Sequence, residues 1–299
     1  MIQAVNVTKK FDGITAVDSI SAEMREGCVF GLVGSNGAGK STFMRMLAGV
    51  LRPDTGSITV DGQPVWENPQ VKQRCFFIPD ELYFFKNSTL KMLCDYYINV
   101  YPKFDKARFG KLCGVFELDP KRKISTFSKG MKRQSAIICA LSSGCEYIFF
   151  DETFDGLDPT ARQAVKSLLI NEMGARELTP VVASHNLREL EDLCDHVGLL
   201  HKGGILFSKD LEDMKLGIHK LQCAFTVPKT RGDFESLDIL SFETRGALCT
   251  MTVRGDESEI MRAVSEKLPV FAELIPLSLE EIFITETEVM GYNLKELLF

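Results

Sequence analysis

The sequence has no long run of apolar residues. Nowhere in its 299 residues does it approach the ~20 consecutive apolar positions that a membrane-spanning helix needs. Half of the first ten residues are polar, and they lack the apolar core of a secretion signal. We therefore expect the protein to be made and kept in the cytosol.

The sequence also has no excess of positive charge. It contains 35 lysine and arginine residues against 41 aspartate and glutamate residues, and its whole net charge of −6 lies after residue 215. A protein that binds nucleic acid by neutralising phosphates usually carries surplus positive charge. We therefore predict that nucleic acid is not a partner.

The nine cysteines follow no ligand pattern. None of them forms a C-x-x-C pair, and the four histidines do not join them at the spacing of zinc ligands. These absences disfavour a metal centre or a disulfide framework and predict buried, reduced thiols. With 45% hydrophobic and 25% charged residues, the composition is that of an ordinary globular protein and excludes a disordered or collagen-like chain.

Much of the chain alternates short apolar strands with amphipathic helices. Such strands are predicted at 28–33, 147–150 and 180–183. One helix is predicted over 159–173, and another begins at Lys40 and ends before Pro53. The second helix is predicted to bury Phe43, Met46, Leu47 and Val50 on one face. Short apolar strands separated by helices indicate a parallel sheet covered on both faces, which is the α/β class.

Three regions depart from this alternation. Residues 2–8 alternate apolar and polar, and Asp61-Gly62 is a hairpin signal, so we predict an antiparallel β-subdomain at the N-terminus. Residues about 85–143 show long helical patterns and are predicted to form a helical subdomain. Residues 1–215 then form one domain, and a small acidic α+β domain is predicted over 216–299. Its strands are predicted at 222–227, 240–244, 247–253 and 271–275, around a helix at 257–267.

A glycine-rich loop follows the strand that ends at Val33. It has the G-x-x-x-x-G-K-S pattern of a phosphate-binding loop, and a helix begins within it. Glycines let the backbone N–H groups point at phosphate oxygens, and the helix N-terminus adds partial positive charge. Lys40 would reach the β- and γ-phosphates, and the Ser41 hydroxyl would bind Mg²⁺. The loop predicts a P-loop nucleotide-binding domain whose contact residues are Gly34, Ser35, Asn36, Gly37, Ala38, Gly39, Lys40, Ser41 and Thr42.

The apolar strand at 147–150 runs into two carboxylates, Asp151 and Glu152. The carboxyl ends of parallel strands meet at one edge of a sheet, so both should face the phosphate loop. Asp151 is suited to hold hydrated Mg²⁺, and Glu152 is suited to polarise an attacking water as general base. Asp-Glu at a strand end is often only solvated, but the phosphate loop favours the catalytic interpretation.

Further motifs stand in a fixed order around these two. In chain order the motif residues are Phe11, the phosphate loop, Asp80, Ser128 with Gly130, Asp151 with Glu152, Asp158 and His185. With this order the chain resembles the ATP-binding cassette (ABC) ATPases over about residues 1–215. The resemblance implies an ABC-type P-loop NTPase that hydrolyses ATP with Mg²⁺. The predicted catalytic residues are Glu152, His185 and Lys40.

The resemblance also implies a head-to-tail dimer with a second ABC subunit that encloses two ATP molecules; a copy of this chain is the favoured partner, and a different cassette is the alternative. Phe11 would stack on adenine, although it could instead staple the first hairpin. Ser128 and Gly130 would act on the γ-phosphate held by the other subunit. Asp158 would couple the two sites, cap the helix that follows it, or do both. His185 would bond the γ-phosphate and the attacking water.

The chain departs from the family pattern at several positions. Lys129 and Met131 stand where the signature usually has glycine and glutamine, and Thr153 stands where proline commonly follows the catalytic glutamate. Asp80 occupies the usual glutamine position. As a charged oxygen ligand, Asp80 is predicted to bind Mg²⁺ together with Ser41 and Asp151. The alternative is that Asp80 faces solvent or caps the next segment.

The Ser-Lys-Gly-Met signature and a short extra C-terminal domain make the chain similar to ATPase subunits of bacterial drug, antibiotic and peptide exporters. Their permease is a separate integral-membrane chain, which implies a location at the inner face of the cell membrane. The aromatic-rich segment 82–100 lies where such cassettes receive their permease, and packing within the helical subdomain is its alternative role. The competing functions are a soluble ABC ATPase that acts on the ribosome or DNA, and a regulatory nucleotide-binding module.

Overall fold

Strands and helices alternate through most of the computed structural model, which describes residues 1–289. The chain divides into a first unit, Met1–Ser208, and a second unit that begins at Lys209, a few residues before the predicted boundary. The strands of the first unit are β1 (Ile2–Phe11), β2 (Ile14–Met24), β3 (Phe30–Val33), β4 (Thr55–Val60), β5 (Gln63–Pro64), β6 (Cys75–Ile78), β7 (Tyr147–Asp151), β8 (Thr179–Ser184), β9 (His196–His201) and β10 (Gly204–Asp210). Its α-helices are α1 (Lys40–Leu47), α2 (Pro69–Lys72), α3 (Leu90–Val100), α4 (Lys106–Val115), α5 (Lys129–Ser142), α6 (Pro159–Ala175) and α7 (Leu187–Glu191).

Two sheets organise the first unit. Strands β2-β1-β4-β5 form the antiparallel sheet predicted for the N-terminus. The second sheet has the order β10-β9-β3-β8-β7-β6, and its pairs from β9 to β6 are parallel. Every residue of β3, β7 and β8 is buried, as expected of strands covered on both faces. Their carboxyl ends therefore lie at one edge, where Val33 pairs with Ser184 and Asp151 with Ala183.

Strand β2 was not predicted from the sequence pattern. It buries Val17, Ile20 and Met24, whose spacing of three and four residues hides the alternation of a strand. The pairing of β1 with β2 is interrupted by register shifts, and Ser19 adopts a φ of 50°. Extra residues at such bulges change which side chains face the core, so a period of two is lost.

Helix α1 is shorter than predicted. It buries Phe43, Met46 and Leu47 as expected, but it ends at Leu47 rather than before Pro53. Val50 is 58% exposed, so its predicted place on the buried face is wrong. The cause is Gly49, whose φ of +67° is a left-handed conformation that ends helices and that glycine adopts without steric cost.

Helices α3, α4 and α5 occupy the region that the sequence predicts to be helical. The aromatic residues of 82–100 differ in how far they are exposed. Tyr83, Phe85 and Tyr96 form a chain of ring contacts and are 83%, 50% and 47% exposed. Tyr97 is half-buried and links this chain to the core, because its ring lies 5.3 Å from that of Tyr96 and 5.3 Å from that of Phe76.

The second unit is an α+β structure with its own core. Its elements are α8 (Leu211–Leu216), β11 (Ile218–Ala224), β12 (Asp238–Arg245), β13 (Leu248–Arg254), α9 (Glu257–Ser265), β14 (Phe271–Ile275) and α10 (Leu279–Val289). The antiparallel sheet has the order β12-β13-β11-β14, and α9 packs against β14. The first strand begins at Ile218 rather than at the predicted residue 222, because His219 and Lys220 continue the pairing with β13.

The cysteines are free thiols. Eight are buried and Cys28 is half-buried, which confirms the prediction of reduced, mostly buried side chains. Burial raises the pKa of the Cys75 thiol to about 12, so this thiol stays protonated and unreactive. In the described part of the chain, no helix combines the length and the low polarity needed to cross a membrane.

Candidate nucleotide and catalytic site

The phosphate loop joins β3 to α1 and runs tightly against neighbouring strands. A Cβ atom on Gly34 would lie 2.5 Å from the carbonyl oxygen of Leu200. Gly39 has a φ of +102°, and a Cβ atom there would lie 2.3 Å from the carbonyl oxygen of Ala16. Only glycine fits at these two positions, so the loop keeps one backbone path that leads directly into the N-terminus of α1.

Lys40 is the first residue of α1, and its side chain is 5% exposed. Its Nζ donates hydrogen bonds to the carbonyl oxygens of Gly34 (2.6 Å) and Ser35 (3.2 Å). The same atom lies 3.2 Å from Oε1 of Glu152. Because a buried ammonium group needs such partners, these oxygens fix a positive charge inside the loop.

Ser41 and Asp151 form a second pair at this edge. The Ser41 hydroxyl donates a 2.9 Å hydrogen bond to Oδ1 of Asp151. Asp151 is fully buried, and among the described residues its Oδ2 atom has no hydrogen-bond partner. Burial, reinforced by the neighbouring charge of Glu152, raises the pKa of the Asp151 carboxyl group. A buried carboxylate oxygen without a partner, beside a hydroxyl oxygen, fits the oxygen ligands that Mg²⁺ prefers.

Glu152 follows β7 in a left-handed backbone conformation, with a φ of 48°. This conformation costs a non-glycine residue about 1–3 kcal/mol and persists only where other contacts enforce it. The Glu152 N–H donates to the carbonyl of Ala183 at 3.0 Å, and its own carbonyl accepts a hydrogen bond from the Arg133 guanidinium. The backbone is thereby fixed on both sides of the Cα atom, which determines where the carboxylate points.

His185 follows β8 and lies beside this carboxylate. Its Nδ1 atom is 2.8 Å from Oε2 of Glu152. The turn that carries His185 is held by the buried Ser184 hydroxyl, which donates to Glu189 at 2.9 Å and accepts from the N–H of Asn186 at 3.0 Å. The structure therefore brings five predicted site residues into one connected group: Lys40, Ser41, Asp151, Glu152 and His185.

Gly34 and Ser35 join this group through the hydrogen bonds from Lys40, whereas Phe11, Ser128, Gly130 and Asp158 lie outside it. Phe11 ends β1, is 44% exposed, and has Lys9 Nζ 5.5 Å from its ring centroid. Ser128 is exposed and caps α5 by accepting the Met131 N–H at 3.2 Å, and Asp158 caps α6 in the same way at 2.9 Å. Gly130 is close to the loop after β7, because a Cβ atom there would lie 3.1 Å from the carbonyl oxygen of Gly156.

Sequence reasoning missed Arg133. Its side chain is 2% exposed, and its Nη2 atom donates a 2.9 Å hydrogen bond to Oδ1 of Asp80. The predicted metal ligand Asp80 is thus paired with a guanidinium and is 51% exposed. One signal in the sequence could have identified Arg133 as a buried charge. It lies three residues before Ala136 and four before Ile137, which places it on the same face of the helix as these buried apolar residues.

Known proteins resemble this chain in sequence. Residues 17–155 match the family model described as ABC transporter. The ABC transporter ATP-binding protein YtrB of Bacillus subtilis is 29% identical over 286 residues, which are 96% of this chain and 98% of that protein. The linearmycin resistance ATP-binding protein LnrL of the same organism is 34% identical over 215 residues, which are 69% of this chain and 68% of that protein.

Solved structures share the fold. One ATP-binding subunit of an ABC transporter is 24% identical, with a TM-score of 0.66 over 72% of this chain and 92% of that one. A dimeric ATP-binding cassette bound to ADP and phosphate is 20% identical, with a TM-score of 0.64 over 71% of this chain and 99% of that one. Sequence likeness, fold and motif order agree, and the chain belongs to the ABC transporter family as an ATP-binding ATPase subunit.

Proposed function

We propose that the protein hydrolyses MgATP in a head-to-tail dimer and thereby drives a separate membrane permease that exports its cargo. The observation that carries the hydrolytic part is the position of the Glu152 carboxylate, which lies between Lys40 and His185. The Ser41–Asp151 pair lies beside this carboxylate, because Asp151 is the residue before Glu152. A general base, a phosphate-binding cation and a metal-binding pair thus converge at one sheet edge.

Each residue of the site has a role in hydrolysis. The backbone N–H groups of the phosphate loop and the Lys40 ammonium bind the ATP phosphates, while Ser41 and Asp151 hold the metal ion. Mg²⁺, when bound, neutralises negative charge on the phosphates. Glu152 accepts the proton of the water that attacks the γ-phosphorus, the bond to the bridging oxygen breaks, and ADP and phosphate leave. His185 orients the Glu152 carboxylate through Nδ1.

Dimerisation completes the site. Ser128 is exposed at the N-terminus of α5, where its hydroxyl and the helix dipole suit a phosphate group of a second subunit. Asp158 is exposed at the start of α6 and would couple the two sites across the interface. The dimeric state of a cassette with a similar fold supports this assembly. We propose that the second subunit is a copy of this chain.

The permease would dock on the exposed aromatic group of Tyr83, Phe85 and Tyr96. Large exposed aromatic side chains next to one another are typical anchors for a partner helix. Export is favoured by the names of relatives, which include a bacitracin transport protein of Bacillus licheniformis that is 29% identical over 219 residues. The protein would then lie at the cytoplasmic face of the membrane through its permease alone.

Cell fractionation tests this partnership. The chain is expressed with and without an integral-membrane permease encoded beside it, and the membrane fraction is assayed for the protein. We expect membrane association only with the permease, and we expect Tyr83→Asp with Phe85→Asp to abolish it. A matched control changes the exposed Ile170 of α6 to aspartate. Absence from the membrane fraction even with the permease would favour a soluble ABC ATPase, and association without the permease would refute docking through the permease.

A further inference from the structure

Arg133 connects two parts of the site that are far apart in the sequence. It lies on α5, yet its guanidinium donates to the Glu152 carbonyl through Nη1 and to Asp80 Oδ1 through Nη2. Asp80 follows β6, and Glu152 follows the neighbouring strand β7. The planar fork of a guanidinium allows one side chain to hold both groups at once.

The Glu152 carbonyl is a sensitive place for such a contact. Glu152 has a φ of 48°, and its N–H is already fixed by Ala183. Arg133 supplies the hydrogen bond on the carbonyl side and so completes the restraint of this peptide. A rotation of the backbone here would move the carboxylate away from Lys40 and His185.

We infer that Arg133 is a positioning residue that holds the general base Glu152 in its working conformation, and that Asp80 acts by orienting Arg133. This inference rests on the proposed function, in which Glu152 activates water. It also gives Asp80 a role other than the metal ligand that its position in the sequence suggests.

Charge and burial support the role of Asp80. A guanidinium that is 2% exposed requires a counter-charge, because an unpaired buried cation is strongly unfavourable. Asp80 Oδ1 provides this charge at 2.9 Å, whereas Asp155 Oδ2 lies at 3.9 Å. Asp80 is therefore the main electrostatic anchor of Arg133.

The test uses the full-length protein and four variants, Arg133→Gln, Arg133→Lys, Asp80→Asn and the double variant with Arg133→Gln and Asp80→Asn. Arg176→Gln is a matched control, because Arg176 also binds a backbone carbonyl, that of Cys145, and a carboxylate, that of Glu172. Arg176 lies at the amino end of the sheet, away from the site. Three quantities are measured: the imidazole ¹⁵N shifts of His185 without nucleotide, with Glu152→Gln as their reference, kcat, and the dissociation constant of MgATP.

We expect Arg133→Gln to lower kcat by about 10- to 100-fold, since small displacements of a catalytic group cost this much. MgATP affinity should change by less than about threefold, because no phosphate contact is removed. The His185 Nδ1 shift should move toward that of Glu152→Gln, and Arg133→Lys should give intermediate values. Asp80→Asn should act in the same direction, and the double variant should be no worse than Arg133→Gln, as expected of coupled residues.

Several results would overturn the inference. The first is that Arg133→Gln has the kcat and the His185 shift of the wild-type protein. The second is that Arg176→Gln lowers kcat as much as Arg133→Gln does. Additive effects of the two substitutions, together with a changed Mg²⁺ dependence of ATP binding in Asp80→Asn, would show that Asp80 is a metal ligand instead. If the wild-type protein does not hydrolyse ATP, the proposed function fails, while the His185 shifts still decide whether Arg133 positions Glu152.

Discussion

The Lys40 ammonium lies 3.2 Å from a carboxylate oxygen of Glu152. The residue that we propose to bind phosphate and the residue that we propose to activate water are therefore members of one ion pair. Phosphate oxygens compete with this carboxylate for the same ammonium protons, since each is a negatively charged acceptor. In the proposed mechanism the charge of Glu152 is needed for turnover but opposes nucleotide binding, so a neutral residue at this position should affect turnover and binding differently.

Glu152→Gln should therefore abolish turnover and keep or strengthen ATP binding. We expect hydrolysis to fall by about 10²-fold or more, which is the usual contribution of a general base. The trapped ATP-bound protein should elute as a dimer from size-exclusion chromatography with MgATP. The neighbouring substitution Asp155→Asn leaves the ion pair intact and should leave turnover within about twofold. Wild-type hydrolysis by Glu152→Gln would refute the assignment of the base.

Asp151→Asn should raise the melting temperature at neutral pH while it removes Mg²⁺-dependent hydrolysis. Burial raises the pKa of Asp151 above its ordinary value of 3.8, so ionisation destabilises the folded state. This cost develops as the pH rises from the ordinary pKa to the raised one, and it persists above that. Asparagine avoids the cost and still accepts the Ser41 hydrogen bond. We expect a gain of about 2 °C or more at neutral pH that disappears toward pH 4.

Asp54→Asn is a control that should change the melting temperature in the opposite direction. A hydrogen bond from Lys9, with one from the Lys10 N–H, holds the pKa of Asp54 below its ordinary value. Its ionised form therefore stabilises the folded state above the ordinary pKa, and that contribution is lost as the pH falls through the lowered one. Thermal unfolding monitored from pH 4 to pH 8 should show a lower melting temperature for Asp54→Asn at neutral pH. A change of the same sign in both variants would contradict the opposite pKa shifts of the two carboxyl groups.

Ser128→Ala tests whether the start of α5 acts on a second subunit. Thr89→Ala is the matched control, because Thr89 caps α3 through its own hydroxyl. Both variants lose one helix cap, which costs about 1 kcal/mol. We expect similar losses of melting temperature, but only Ser128→Ala should lower turnover, by about a hundredfold. ATP binding to the dilute protein should be unchanged in both.

The dependence of turnover on enzyme concentration provides a further test of the dimer. In the proposed dimer each site needs Ser128 of another subunit, so wild-type activity should rise more than linearly with concentration at low concentration. Phosphate release measured over a dilution series gives this relation. Strictly proportional activity would refute a shared site, whatever the result for Ser128→Ala.

Removal of the residues after 215 should preserve MgATP binding. Every residue of the connected site belongs to Met1–Ser208, which has its own core. Equilibrium binding of a fluorescent ATP analogue to the truncated chain measures this, with melting temperature as the control for folding. A truncated chain that folds but fails to bind nucleotide would place part of the site in the second unit.

Local patterns were sufficient for most of the fold and for the centre of the site. Strand-to-helix alternation predicted the parallel sheet, and its edge brought Ser41, Asp151, Glu152 and His185 together because parallel strands end on the same side. The same local patterns failed at β2, where bulges break the alternation, and at Val50, where Gly49 ends the helix early. Residues with a left-handed backbone lie at both places: Asn6 and Ser19 in the bulged pair of β1 and β2, and Gly49 after the end of α1.

The sequence by itself determined which reactive groups the site contains: a phosphate loop, two carboxylates at the end of one strand, and a histidine at the end of the next strand. Only the tertiary structure decided which charges are paired. Arg133 and Asp80 are 53 positions apart, and the sequence around either residue does not predict that the two are partners. Their contact depends on how α5 packs against β6, which follows from the shapes of buried side chains throughout the core. Burial then makes the pairing obligatory, because a guanidinium removed from water must find its counter-charge nearby.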